Sequence, residues 1–454
     1  MKIDLDAYRL AFSNLPANVT AAEVCADLKE ELNIDVHNGV QTAGESFSRT
    51  TLYLRASADK TGTILTEKLD EDPYVLMEKA LEGAAFSQAE HAEPMNEGGA
   101  GCIITGDDSA TAAQLLDAAC ELERAALARP GIETVEKCSL RKTITARRVM
   151  NSKRLDHYLE HTGYLATLSV RGKRENGRGP VGKTEMYVSE LSQLDPHRMA
   201  KTAQENADRM DGGGSLQSVS VPSGTYTALL SADVTRNMMI TAWMAFAGDR
   251  IQSGTSAFKP EMDQIAASCL NIVDDPMPCG WSVNYGLDSE GTLCSKKYVV
   301  KNGKLESPLC TKISAPDSPG GNAGRIAGLS GTTPINLITV PSCIYIKSGD
   351  STVDEMIAKM DTGIYLTYSL DVFHSINIAS GEFSIPCGGI VYKEGKPIGI
   401  ADQLTIAGNL RDLLKDIRAV GNDLTLEEFM FYHNYSYGGP SLLVDRLAFS
   451  SKQE

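Results

Sequence analysis

Three consecutive glycines, Gly212-Gly213-Gly214, set between Asp211 and Ser215, limit how this chain folds more than any other feature. Glycine has no Cβ and loses the most backbone freedom on ordering, so such a run continues neither a helix nor a strand and reads as a linker. At 454 residues the chain also exceeds the size at which one hydrophobic core keeps growing. The glycines therefore mark a boundary between two domains, 1–211 and 212–454. The expected fold class is α+β: an N-terminal domain of helices packed on an antiparallel sheet, and a mainly β C-terminal domain, barrel- or sandwich-like, carrying a few helices.

Periodicity supplies the elements. Residues 20–32 carry Ala21, Val24, Leu28 and Leu32 at helical spacing and predict an amphipathic helix. Residues 50–56 and 62–66, around a turn at Asp59-Lys60-Thr61, predict a hairpin. A helix over 73–86 is capped by Asp72 with Pro73 in its first turn. Further helices are expected at 111–127 and 196–210, with strands at 134–149 and 163–172 between them. Beyond the glycines the pattern turns to strands, with helices near 234–246 and 410–420. The glycine-rich loop holding Gly320, Gly321, Gly324, Gly328 and Gly331 lacks the Gly-Lys-Ser/Thr ending of a phosphate cradle and reads as an ordinary loop.

Composition excludes several function classes. Net charge is −16, and no Lys/Arg block supplies the counter-charge that a phosphate backbone needs, so no nucleic-acid partner is expected. The basic stretch from Arg141-Lys142 to Arg147-Arg148 alternates with Thr and Ala and reads as a solvated strand face. No apolar run reaches the ~18 residues of a membrane span, and the acidic start of the chain is unlike a secretory signal, so a cytoplasmic, membrane-free protein is expected. The ten scattered cysteines are then expected as free thiols.

Four phrases follow one another late in the chain: Ser380-Gly381-Glu382-Phe383-Ser384, Lys393-Glu394-Gly395-Lys396-Pro397-Ile398-Gly399, Thr405-Ile406-Ala407-Gly408-Asn409-Leu410 and Ala419-Val420-Gly421-Asn422-Asp423-Leu424. They read as two strands joined by a Glu-Gly turn, a Gly-Asn helix start, and a helix stopped by Gly421-Asn422. In this order and spacing they resemble the C-terminal signature of the TldD/PmbA family. Ser348-Gly349-Asp350, Asn151-Ser152-Lys153 and the closing Gly439-Pro440-Ser441-Leu442-Leu443-Val444 resemble other family segments, so the likeness spans essentially the whole chain, least clearly over 253–341.

The resemblance implies a zinc peptidase fold whose active members use a helical His-Glu-x-x-x-His motif and a C-terminal cysteine. Histidines and thiolate hold the metal, the open position activates water, and the glutamate shuttles the proton. Aligning Asp249 with the aspartate that ends the motif places Met239 and Met244 at the histidine positions and Ile240 at the glutamate. Neither His nor Glu occurs between Val219 and Lys259, and no cysteine follows Cys387. A thioether suits Cu(I) rather than Zn²⁺, and isoleucine carries no proton. The resemblance therefore implies a TldE/PmbA-like branch with a degenerate zinc site, no catalytic residue or cofactor of its own, and zinc only in a catalytic partner. The expected partners are a zinc-bearing TldD-like paralogue or a second copy, and unfolded peptides. Asp249, Ser380, Gly381, Phe383, Gly408, Asn409, Gly421 and Asn422 are the candidate cleft or signature residues. The methionines read first as core packing, then as an apolar wall.

Rival sites weigh less. His157-Tyr158-Leu159-Glu160-His161 spells an inverted zinc motif, but that motif needs a helix and this stretch leads into a strand, so an exposed loop is expected. His374 and His433 are isolated, and Cys279 has no assignable base. Asp274-Asp275 before Pro276 reads as a turn, and Glu71-Asp72 as a helix start.

Overall fold

The computed structural model describes residues 2–87, 91–173, 179–211, 216–259, 263–278, 286–315, 320–325, 337–429 and 435–451. They form two compact units. The first takes Met1–Asp211 together with Met277–Cys294 and Ala323–Ile338, and the second takes the remainder. The later part of the chain thus lends two segments to the first unit, an arrangement that a single cut at the glycines does not contain.

In the first unit the elements run α1 (Asp6–Ser13), β1 (Ala21–His37), β2 (Val40–Ser57), β3 (Thr61–Thr66), α2 (Pro73–Ala84), β4 (Ala100–Thr105), α3 (Ala112–Leu127), β5 (Ile132–Asn151), β6 (Asp156–Gly172), β7 (Val181–Val188) and α4 (Pro196–Asp211). The strands make one sheet in the order β3-β2-β1-β5-β6-β4, with β7 also on β6. All neighbours are antiparallel except the parallel pair β4 and β6. A 20-residue strand such as β5 extends about 60 Å. One helix cannot cover that length, and two helical pairs divide it. Val24, Leu28, Leu52, Leu54 and Met150 pack under α1 and α2 through Tyr8, Phe12, Leu76 and Met77. Ile34, Leu140, Tyr164 and Leu168 pack under α3 and α4 through Leu115, Leu122 and Met199. On the opposite face Cys25, Val149, Leu155 and Leu159 cluster with Leu287 from the lent segment.

Residues 20–32 are therefore a strand and not the expected helix. Val24, Leu28 and Leu32 are four apart, a spacing shared by both periods. Ala22, Ala26, Ile34 and Val36, buried on the same face of β1, are also even-numbered and complete a period of two, while Cys25 is buried on the opposite face. The basic stretch is corrected too. Arg147 grips Asp27 through Nε and Nη2 at 2.5 and 2.9 Å, and Arg148, which is buried, grips Asp156 at 3.0 and 3.1 Å. These are internal clamps rather than a solvated face.

The second unit holds β8 (Gly224–Leu230), α5 (Ala232–Ala242), α6 (Gly248–Ser253), β9 (Ile272–Asp274), β10 (Lys297–Lys301) and β11 (Lys304–Leu305). The short pair that comes next in the chain, β12 (Ala323–Arg325) with β13 (Leu337–Thr339), falls in the lent segment of the first unit except for Thr339. Then come β14 (Cys343–Ile346), α7 (Val353–Met360), β15 (Gly363–Ser369), β16 (Glu382–Lys393), β17 (Lys396–Asn409), α8 (Leu410–Lys415), β18 (Ile417–Val420), β19 (Thr425–Phe429), β20 (Tyr435–Gly439) and β21 (Leu442–Ser451). Five strands, β17-β16-β15-β8-β21, close into a barrel through β17–β21, and β18 adds to β21. A six-stranded sheet runs β11-β10-β9-β14-β20-β19. Glu394 and Gly395 take φ of 51° and 70° between β16 and β17, as the expected Glu-Gly turn requires.

The expected helix over 410–420 stops at Lys415. Ile417 and Val420 instead pair with Val444 and Leu442 of β21, so Gly421-Asn422 ends a strand and not a helix. Gly320 and Gly321 sit at positive φ and Gly324 lies in β12, while Gly328 and Gly331 lie outside the described residues. Among the described residues no helix is long and apolar enough to cross a membrane.

Candidate functional site

The helix aligned with the family's metal motif is α5. Ser231 caps it by accepting from the amide of Val234 at 3.3 Å. Its sequence is rich in Met, Ile and Ala, so its inward side packs by dispersion rather than by charge. At Ala242 the α-helix tightens into a 3-10 turn, Trp243–Phe246, and α6 follows after Ala247. Phe246 stacks on Phe258 at 5.1 Å, and Trp243 meets Tyr435 edge-on at 5.3 Å. The Tyr435 hydroxyl donates to the Ile240 carbonyl at 2.8 Å, and burial pushes its pKa far above the usual phenol value.

Met239 is buried at 4% exposure, whereas Ile240 and Met244 are half-buried. The change of helical type falls between the two methionines. The charged groups around α5 are engaged elsewhere: Arg236 bridges Asp233 at 3.2 Å and Glu427 at 3.0 Å, and Asp249 is exposed at the start of α6. Cys387, the last cysteine, is buried in β16 with its thiol pushed up to about 11 by burial, which keeps it protonated and a poor ligand. Thioethers, a hydrocarbon and a protonated thiol do not fit a zinc ion. Among the described residues, no group of three or more His, Cys, Asp or Glu side chains is placed to hold a metal.

The signature residues form two knots. In the first, Gly381 takes φ +81°, its amide donates to the Asn377 carbonyl at 2.7 Å, and its carbonyl accepts from Leu410 at 2.7 Å. A Cβ there would stand 2.9 Å from Asn409 Oδ1 and 3.0 Å from Ala257. Asn409 caps α8 by accepting from Arg411 and donates to the Ser380 carbonyl at 2.9 Å. Phe383 pairs with Gly408 across β16 and β17, where a Cβ would meet its ring at 3.0 Å. In the second knot, the Gly421 amide donates to Ser441 at 2.8 Å and its carbonyl accepts from Gly349 at 2.9 Å, while the Asn422 amide donates to Ser351 at 2.9 Å. Each of these residues has a demonstrable task in joining strand ends. Ser380, Gly381, Phe383, Gly408 and Asn409 come together, and Gly421 and Asn422 belong to the other knot.

The rival sites resolve as follows. His157 and His161 lie in β6, correcting the expected exposed loop. Four strand residues span about 13 Å, too far to share one ion. His157 Nδ1 contacts the Gly291 carbonyl and the buried His161 contacts Thr105 Oγ1, each at 2.8 Å. His374 is exposed and bonded to Asp371 at 2.7 Å. Cys279 and His433 lie outside the described residues. Asp72 caps α2 by accepting from Tyr74, as expected.

Asp274-Asp275 was expected as a turn, but Asp274 belongs to a strand and both residues are buried. Asp274 ends β9, fully buried, and accepts from the amides of Ser342 and Cys343 at 2.9 and 3.1 Å and from Asn322 Nδ2 at 2.7 Å. Burial raises its carboxyl pKa, outweighing Lys297 and these hydrogen bonds. Sequence reasoning missed this centre, although an aspartate closing the apolar run Ile272-Val273 is the one available signal.

Comparison with known proteins agrees with this architecture. The family model of the PmbA/TldA metallopeptidase C-terminal domain matches residues 223–451. A metalloprotease TldD homologue of Buchnera aphidicola is 25% identical over 277 residues, covering 57% of this chain and 54% of that protein. A metalloprotease of Methanothermobacter thermautotrophicus is 26% identical over 242 residues, covering 52% and 50%. The matches thus span about half the length of these curated relatives. A Thermotoga maritima structure, named for a modulator of a DNA gyrase, superposes with TM-score 0.76 at 22% identity and 98% coverage of both chains. TldE from Thermococcus kodakarensis gives 0.75 at 19%, covering 98% of this chain and all of that one. With the C-terminal family model matched over half its length, the chain belongs to the PmbA/TldD family.

Proposed function

We propose that this chain is a TldE/PmbA-like subunit that does not hydrolyse peptides by itself. Paired with a zinc-bearing relative, it helps capture unfolded peptides for degradation or processing. One observation carries the reading: the helix aligned with the metal motif presents Met239 and Ile240, and the 3-10 turn that follows presents Met244, with Met239 buried and the Ile240 carbonyl bonded to Tyr435. Nothing there polarises water or moves a proton. Extended peptides would be held through main-chain hydrogen bonds to strand edges and apolar walls, a mode largely indifferent to sequence.

An active peptidase using His157 and His161 is opposed by their separate partners along one strand. A stand-alone homodimer that binds a peptide or small ligand without cleaving it shares the same inert helix, and co-purification with a zinc-bearing relative separates it from the first reading. The test is cleavage of unfolded casein by the purified chain, alone and with such a relative, with and without chelator. Cleavage is expected only in the mixture. Chelator-sensitive cleavage by the chain alone, retained after Met239 and Met244 are replaced, would defeat the proposal.

A further inference from the structure

Three side chains meet at the end of β9 in the second unit. Lys297 opens β10 directly opposite Asp274, the last residue of β9, in the antiparallel register. Directly opposed residues send their side chains to one face of a sheet, and Lys297 Nζ lies 3.9 Å from Asp274 Oδ2. Asp274 Oδ1 is taken by the amides of Ser342 and Cys343, so Oδ2 is the oxygen that meets Lys297 and Asn322. Asn322 Nδ2 donates to that Oδ2 at 2.7 Å. Asn322 Oδ1 accepts from Lys297 Nζ, and from the Cys310 amide at 3.3 Å. The Asn322 backbone carbonyl accepts from Val340 at 2.8 Å, and Lys297 Nζ also donates to the Gly320 carbonyl at 3.3 Å. Asp274 and Asn322 are buried and Lys297 is half-buried. The neighbouring carboxylate, Asp275, is held by Lys296 at 2.6 Å and by the Tyr345 hydroxyl at 3.2 Å.

We propose that Lys297 and Asn322 join in an intramolecular isopeptide bond, with Asp274 carrying the protons. Acyl transfer needs a nucleophile, a carbonyl carbon, a donor for the oxyanion and a proton carrier, and here the four are in contact. Burial raises the carboxyl pKa of Asp274, so its carboxylate accepts a proton from the Lys297 ammonium. The freed lone pair forms a bond to Asn322 Cγ, and the carbonyl π pair moves to Oδ1, where the Cys310 amide donates to it. Asp274 then passes its proton to Nδ2 and receives one from the attacking nitrogen. The Cγ–Nδ2 bond breaks with its electron pair, and Nδ2 leaves as ammonia. The products are a secondary amide between the two side chains, one ammonia and a protonated Asp274, with no oxidant or metal involved. Burial of Asn322 also keeps water from competing for Cγ. The bond ties the start of β10 to the residue before β12, closing a loop that constrains the unfolded chain.

Intact-mass spectrometry of the purified full chain, unfolded in acid, tests this. Most of the wild-type chain is expected to be lighter than its sequence by one ammonia, and its tryptic digest to contain one branched peptide joining Lys297 to Asn322. Lys297→Arg and Asp274→Asn are expected to keep the full mass and yield no branched peptide, with circular dichroism confirming that each is folded. A wild-type chain of full mass overturns the proposal. So does loss of ammonia without the branched peptide, which is the signature of a succinimide formed elsewhere, and so does a link that persists in Asp274→Asn. The wild-type mass and digest need no variant, so a substitution that fails to fold leaves the test intact. No readout here involves metal or hydrolysis of peptides, so this inference and the proposed function can fail separately.

Discussion

Asp274 shows what a single residue does in this fold. Its carboxylate collects the amides of Ser342 and Cys343 and the Asn322 side chain, from two separate stretches of the second unit. Removing it leaves those buried donors without their acceptor, and each unsatisfied buried donor costs about 1–3 kcal/mol. Asp274→Ala is expected to cost about 2–4 kcal/mol after local relaxation, read from the urea midpoint of the transition assigned to the second unit. A loss under about 0.5 kcal/mol would show that water replaces the carboxylate. The residue-level meaning of the signature was half legible in the sequence. Gly381 and Gly408 announced special backbone, but only the packing shows that one needs positive φ beside Asn409 and the other a bare face under the Phe383 ring.

At the scale of elements, α2, α3 and α4 follow from their patterns, whereas the short α1 was not expected. The caps at Asp72 and Thr111 and the Glu394-Gly395 turn are local chemistry that the sequence displays. β1 was not legible because its apolar spacing of four satisfies two periods, and the choice is made by β2 and β5, which hydrogen-bond along both of its edges. The expected helix at 410–420 failed for a similar reason, since β21 captures its second half. For α5 the packing predicts a graded outcome. Met239→Ala, which opens a buried site, is expected to cost about 2–4 kcal/mol, whereas the half-buried Met244→Ala costs about 1 kcal/mol or less. Thermal or urea unfolding distinguishes this from an apolar wall facing a ligand. In that case both truncations would leave stability nearly unchanged.

For the whole molecule, the glycine run marks where the backbone passes between units, but not which residues each unit owns. Leu287, from beyond the glycines, joins the apolar cluster of Cys25, Val149 and Leu159 in the first unit. Contacts between residues so far apart in sequence leave no periodic trace. The α+β class and the family were legible, because they rest on long strands and on the order of four phrases.

The functional reading concerns an absent donor set, and metal content tests it most directly. Untagged full-length chain, purified from zinc-supplemented cells and dialysed without chelator, is expected on the proposed function to carry well under about 0.1 zinc per chain by mass spectrometry, because Met239, Ile240 and Met244 offer only thioethers and hydrocarbon. Replacing Met239 and Met244 should leave that value unchanged. About one zinc per chain, lost when side chains of the second unit are substituted, would contradict the account.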